Sequence, residues 1–164
     1  MQAARHLKLE IARVVAVVRP GADELAAALK NEGCEVVVCD NAAEGMGASL
    51  ACAARAAAHF HPEADGYLVA LGDMPFVRRT SIAALRDALA AGAPLAAPYF
   101  RARRGHPVAL SKVFYPELLT LRGDEGAKKL IAANERALVK IPVGDPGVIR
   151  DIDTPGDLAP PLRI

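Results

Sequence analysis

Residues 67–75 read Y-L-V-A-L-G-D-M-P, and this stretch decides the fold class. Five apolar residues run without alternation, then a glycine, a carboxylate and a proline stop them. A continuous apolar run of this length, closed by turn residues, reads as a strand buried on both faces. Two more such runs lie upstream, V-V-A-V-V (14–18) and E-V-V-V-C (35–39). Helical segments separate and follow them: A-D-E-L-A-A-A-L-K-N-E-G ending at Gly33, an Ala-rich stretch from about 48 to 60, and T-S-I-A-A-L-R-D-A-L-A-A-G with Thr80 or Ser81 as N-cap and Gly92 as its stop. Strand, helix, strand, helix, strand, helix predicts an α/β fold, a mostly parallel sheet covered by helices on both faces.

The second half is less regular. L-A-A-P-Y-F (95–100) and P-V-A-L-S (107–111) flank R-A-R-R-G-H as a hairpin or long turn. K-V-F-Y-P-E-L-L-T-L and G-D-E-G-A-K-K-L-I-A-A-N-E read as short helices, and A-L-V-K-I-P-V (137–143) as a strand. No repeat or linker interrupts the 164 residues, so the chain reads as a single domain.

Composition agrees. Hydrophobic residues make up 52% but aromatics only 4%, with no Trp, so the core is built from Ala, Val and Leu, which suits helices packed on a sheet. A net charge of +1 offers no bulk attraction to nucleic acid or to a membrane. No apolar run is long enough to span a bilayer. Three cysteines, Cys34, Cys39 and Cys52, form neither an even set nor a Cys-x-x-Cys pair, so a reducing, cytoplasmic setting is expected.

Four segments carry candidate chemistry. Asp73 follows a buried strand, where ligands of open α/β sheets bind. A carboxylate there can hold Mg²⁺ against a phosphate, or simply bond the turn backbone. Asp151 and Asp153 alternate by two, as on one face of a short strand, and either can complete a metal site with Asp73. Asp157 is explained by a helix start, with Thr154 as N-cap and Pro155 at the first helical position. A-E-G-M-G-A-S-L (43–50) places two glycines before a helix whose free N–H groups can meet an anion. Arg103 and Arg104 can grip phosphates, whereas Arg101 reads as a solvated hairpin tip. His106, constrained by Pro107, reads equally as structural or substrate-facing. His59 and His61 close a helix, and His6 reads as part of a frayed terminus.

Taken together, N-A-A-E-G-M-G-A-S-L (41–50), L-G-D-M-P (71–75), R-G-H-P-V (104–108), F-Y-P-E-L-L (114–119), G-D-E-G-A-K (123–128) and D-I-D-T-P-G-D-L (151–158) resemble, in order and spacing, the MobA-like nucleotidyltransferases, most closely the molybdenum cofactor cytidylyltransferases. The resemblance implies a three-layer Rossmann-like fold and Mg²⁺-dependent transfer of CMP from CTP to molybdopterin with release of pyrophosphate. A molybdenum hydroxylase is the implied client. It implies Asp73 and Asp153 as metal ligands, with Asp151 beside them in the catalytic group. It implies Glu44, Gly45, Gly47, Ser49, Arg104, Gly105, His106 and Lys128 around the two substrates. Two positions depart from the family: Lys128 stands where an arginine is usual, and Gly156 where an acid is usual.

The family also opens with a strand and an L-A-A-G-x-S-x-R-M-G-x-x-K loop that binds the triphosphate. Nothing like it precedes Val14, and residues 1–12 resemble the tail of the helix that follows the loop. The chain is therefore expected to lack the first central strand, with upstream codons as its favoured source, and to be impaired or inactive as it stands. Two alternatives remain at this level: a non-catalytic module that binds or chaperones the cofactor, and a nucleotidyltransferase acting on another phosphorylated substrate.

Overall fold

The computed structural model describes residues 1–124 and 126–154. In chain order it has α1 (Gln2–Glu10), β1 (Val15–Val18), α2 (Asp23–Asn31), β2 (Glu35–Val38), α3 (Met46–Phe60), β3 (Gly66–Val69), α4 (Arg79–Ala90), β4 (Leu95–Phe100), β5 (Arg103–Arg104), β6 (Val108–Ser111), α5 (Tyr115–Thr120), α6 (Lys128–Ala133) and β7 (Leu138–Pro142). Single 3-10 turns lie at Ala42–Glu44, Lys112–Phe114, Glu135–Ala137 and Pro146–Ile149.

Local chemistry accounts for most boundaries. The β-branched runs become β1 and β2. Gly33 and Gly92 end α2 and α4 with positive φ, +78° and +91°. Both close by the same double bond pattern: Gly33 N to Lys30 O and Cys34 N to Leu29 O, then Gly92 N to Leu89 O and Ala93 N to Ala88 O. These bonds satisfy carbonyls that the last helical turn leaves open. The start of α4 differs from expectation. Thr80 and Ser81 lie inside the first turn, and Arg78 holds the cap position without a side-chain cap of its own. His6 is not frayed either: it sits in α1, and its Nδ1–H donates to the Val77 carbonyl at 2.8 Å.

The expectation of a mostly parallel sheet holds only in part. β1 and β2 pair in parallel as a two-stranded sheet. The second sheet runs β3-β6-β4-β5, with β7 on the other side of β4. β4 and β7 are parallel, whereas β3–β6, β4–β6 and β4–β5 are antiparallel. The reason is the hairpin at 95–111. Helix α4 carries the chain across so that β4 points the same way as β3. The hairpin then returns β6 antiparallel between them. Among the described residues β1 and β3 each have one strand partner.

The core sits on the second sheet. Leu95 and Ala97 of β4 and Val108 and Leu110 of β6 face α5 and α6 through Leu118, Leu130 and Ile131, and Ala54 brings α3 onto the same cluster. The alternate residues, Ala96 and Ala109, face Leu85 of α4. The period of two thus divides one strand pair between two helical layers. Helix α1 packs outside α4. Helix α3 also packs on β1, so it joins the two sheets. By contrast, β1, β2 and β3 are half-exposed along most of their length.

Candidate functional site

The antiparallel pairing of β3 with β6 builds the site. Val69 at the end of β3 lies opposite Val108 at the start of β6. The turn that leaves β3 and the loop that enters β6 therefore arrive at one end of the sheet. The first carries Asp73; the second carries Gly105 and His106 and follows directly on Arg104 at the end of β5. The His106–Pro107 bond there is cis.

A third segment straps across both. Gly105 N donates to Pro98 O at 2.8 Å and His106 N to Val148 O at 2.7 Å. Gly105 is buried flat against Val148, where a side chain would overlap it. Gly147 lies equally close to the Phe76 carbonyl. Further along the strap, Ile152 N donates to the carbonyl of Asp73 at 2.9 Å. That bond sets Asp151 and Asp153, both exposed, on either side of a residue tied to Asp73. Residues 151–153 are not a strand, which corrects the expectation; the segment is held by this backbone bond instead. Among the described residues no three His, Cys, Asp or Glu side chains gather as a metal cage. Residues 155–158, with Asp157, lie outside the described residues.

Asp145 anchors the strap, and sequence reasoning missed it. Its carboxylate is buried and accepts from Arg78 N at 2.8 Å, Ser81 Oγ at 2.8 Å and Gly147 N at 2.9 Å. It thereby caps α4 from a distant part of the chain and holds the 3-10 turn Pro146–Ile149. The Asp-Pro-Gly sequence at 145–147 signals a local turn, but nothing local reveals the second role.

His106 is electrostatically distinctive. Burial pushes its pKa below the ordinary value, the Arg104 charge pushes the same way, and Asp73 opposes them. All told, the shift favours the neutral ring. Its Nδ1 is buried with no hydrogen-bond partner among the described residues. An unmet buried group of this kind costs about 1–3 kcal/mol.

The remaining expected residues form a second group at the start of α3. Gly45, with φ +116°, packs on Gly123 and Asp124, and Gly47 on the Arg122 backbone. The Gly47 N–H already donates to Gly123 O at 2.6 Å. The expectation of free N–H groups at this helix start is corrected at Gly47: both glycines are needed for close packing against the 122–124 loop. Gly126 in turn packs on Met46, and Lys128 opens α6 two residues later, exposed. Glu44 is exposed and accepts from Asn41 Nδ2 at 3.4 Å. Ser49 lines a hollow of ≈ 970 Å³ with Ala42 and residues 17–19 and 21–25. The loop after β1, with Arg19 and Gly21, belongs to this wall. Its one sequence signal was Pro20-Gly21 at a strand end.

Residues 1–138 match the model of the MobA-like NTP transferase domain. The purine catabolism protein PucB of Bacillus subtilis (strain 168) is 34% identical over 121 residues, which are 72% of this chain and 56% of that protein. The chain thus spans little more than half the length of this relative. Among solved structures, Rv0371c of Mycobacterium tuberculosis H37Rv in complex with manganese is similar at 26% identity and a TM-score of 0.78, over 95% of this chain and 80% of that one. A homologue of Rv0371c from Mycobacterium sp. strain JC1, at 24% identity and a TM-score of 0.71, covers 94% of this chain and 78% of its own, and shares the fold. The chain, matched over residues 1–138 of its 164, belongs to the MobA-like NTP transferase domain family.

Proposed function

We propose that this protein is a divalent-metal-dependent nucleotidyltransferase that transfers CMP from CTP to molybdopterin and releases pyrophosphate. The observation that carries the reading is the Ile152–Asp73 bond, which holds two acidic segments together at the end of β3. Carboxylate oxygens suit hard cations such as Mg²⁺ or Mn²⁺, which are commonly held by one or two carboxylates with phosphates completing the shell. Asp73 with Asp151 or Asp153 supplies that donor set, and the manganese complex of Rv0371c supports a metal in the same fold. The bound metal would neutralise charge on the phosphates.

The protein's own groups position the reactants. Arg103 and Arg104, exposed on β5, offer bidentate donors to an acceptor phosphate. Neutral His106 offers a polar contact without adding charge. Ser49 stands on the wall of the hollow that would take the nucleotide, Glu44 is exposed two residues beyond the lining residue Ala42, and Lys128 offers a charge two residues after Gly126. The acceptor phosphate attacks the α-phosphorus directly, so no protein nucleophile is needed, and catalysis comes from alignment and charge neutralisation. A molybdenum hydroxylase is the proposed user of the product, and the cytoplasm the proposed compartment. No helix among the described residues is long and apolar enough to cross a membrane.

The test is pyrophosphate release with CTP, molybdopterin and Mg²⁺ or Mn²⁺. In a protein that carries the family's triphosphate-binding loop, Asp73→Ala should lower it by at least about a hundredfold. Unchanged turnover overturns the metal assignment. Preference for GTP, or for a sugar phosphate over molybdopterin, overturns the substrate assignment and leaves the reaction class standing.

A further inference from the structure

Cys39 follows β2 and is 1% exposed. Its thiol donates to Asn41 Oδ1 at 3.2 Å, and its sulfur also lies 3.9 Å from the carbonyl oxygen of Ala48. Ala48 is in the first turn of α3. Cys52 stands four residues further along the same helix, hence one turn on and over the same face. Cys52 is partly exposed, and by helix geometry its N–H points at the same Ala48 carbonyl that the Cys39 sulfur approaches. Cys34 lies at the opposite end of β2, near Lys8 and Glu32. Three cysteines that look unpaired in the sequence are, in space, one neighbouring pair and one distant thiol.

We propose that Cys39 and Cys52 form an oxidation site, at which a peroxide-class oxidant converts the two thiols to one intramolecular disulfide. The more exposed Cys52 reacts first. Its thiolate attacks a peroxide oxygen, the O–O bond breaks, hydroxide leaves, and Cys52 becomes a sulfenic acid. The Cys39 sulfur then attacks the Cys52 sulfur and displaces that hydroxyl, which leaves as water with the thiol proton. In sum, two thiols and one hydrogen peroxide give one disulfide and two waters, and two electrons pass from sulfur to oxygen. Burial raises the Cys52 thiol, with Cys39 adding to the shift and Arg55 opposing it. The attacking thiolate is scarce, so excess peroxide drives the reaction where air does not. The ring so closed contains Ala42, Glu44, Gly45, Gly47 and Ser49, and two of these, Ala42 and Ser49, line the hollow. A bond there ties the loop after β2 to the second turn of α3. The site stands on the approach of the Cys39 sulfur to the turn of α3 that leads to Cys52, and is independent of the transferase reading.

The test is direct mapping on the whole chain. Folded protein is treated with hydrogen peroxide, free thiols are capped with N-ethylmaleimide, and the unfolded chain is cut with trypsin and a glutamate-specific protease without reductant. Cuts after Glu35, Glu44 and Arg55 separate the three cysteines. The expected product joins residues 36–44 to 45–55, while 33–35 carries the maleimide. This link should exceed any link to Cys34 by about tenfold, because disulfide geometry is demanding. The preference should vanish when the chain is oxidised in urea, and dithiothreitol should restore the thiols. Cys52→Ser should abolish the link and Cys34→Ser should leave it. A dominant bond to Cys34, a bond between two chains, or over-oxidised Cys52 beside maleimide-capped Cys39 each overturns the proposal. The wild-type map decides the matter even if a variant fails to fold.

Discussion

The carbonyl of Asp73 accepts a hydrogen bond from the backbone N–H of Ile152 at 2.9 Å, across 79 positions of chain (152 − 73). This pairing brings the acidic residues of two distant motifs to one place. It spends no side chain, so the carboxylates of Asp73, Asp151 and Asp153 stay exposed while their backbones are tied down. The precision of the site therefore depends on what holds the strap from 145 to 153.

Asp145 is the first holding point. Asp145→Ala removes the acceptor of three hydrogen bonds and the distant cap of α4, and should cost about 2–4 kcal/mol. Ser81→Ala removes one bond and should cost about 1 kcal/mol. Urea midpoints read both. Equal midpoints for Asp145→Ala and wild type refute the capping role.

Gly105 and Gly147 are the second. A Cβ on Gly105 meets Val148, and one on Gly147 meets the Phe76 carbonyl. Backbone cannot move aside as a flexible side chain does, so either alanine should cost about 1–3 kcal/mol. By contrast, Gly72→Ala meets nothing within 4 Å, and its melting temperature should stay near that of wild type. Thermal unfolding of the three variants tests the contrast.

His106 sets a pH dependence. Its pKa is lower in the folded protein than in the unfolded chain, first by burial and then by Arg104, with Asp73 opposing. The unfolded state therefore binds the proton more tightly. The stability His106 contributes is complete above its unfolded value and is lost as pH falls through the folded value. Between about pH 7.5 and about pH 5 in metal-free buffer, wild type should lose more stability than His106→Gln. Equal losses in denaturant titrations refute the assignment.

The turn joining β4 to β5 holds Arg101 and Ala102 at φ +49° and +64°. Both are left-handed, where non-glycine residues are strained. Ala102→Gly should stabilise by about 0.5–1 kcal/mol, since relief of that strain outweighs the added freedom of the unfolded chain. Calorimetry should find a melting temperature roughly 1–4 °C higher.

The runs at 14–18, 35–39 and 67–71 were legible as strands because consecutive apolar side chains have few other stable fates. Gly33 and Gly92 were legible as helix stops because the left-handed position is a local need. Asp73 was legible as a candidate because a carboxylate directly after such a run is unusual. The direction of β6 was not, since nothing in P-V-A-L-S says which strand it joins. The turn at 101–102 was obscure for a different reason: it lacks the Asn or Gly that usually marks left-handed pairs. The glycines of the E-G-M-G stretch were readable as glycines that matter, but not as packing surfaces for residues 122–124.

By itself, then, the sequence determined most segments that become helix and strand, where two helices stop, and which acidic and basic residues are available for chemistry. Only the tertiary structure decided that β6 returns antiparallel beside β3, that Asp145 caps α4, and that Ile152 ties the last acidic segment to Asp73. The division follows range. Propensity, capping and turn chemistry act over a few residues and are written in local spelling. Strand pairing across about 40 positions, and contacts across 60 or more, form only when the whole chain has chosen its partners.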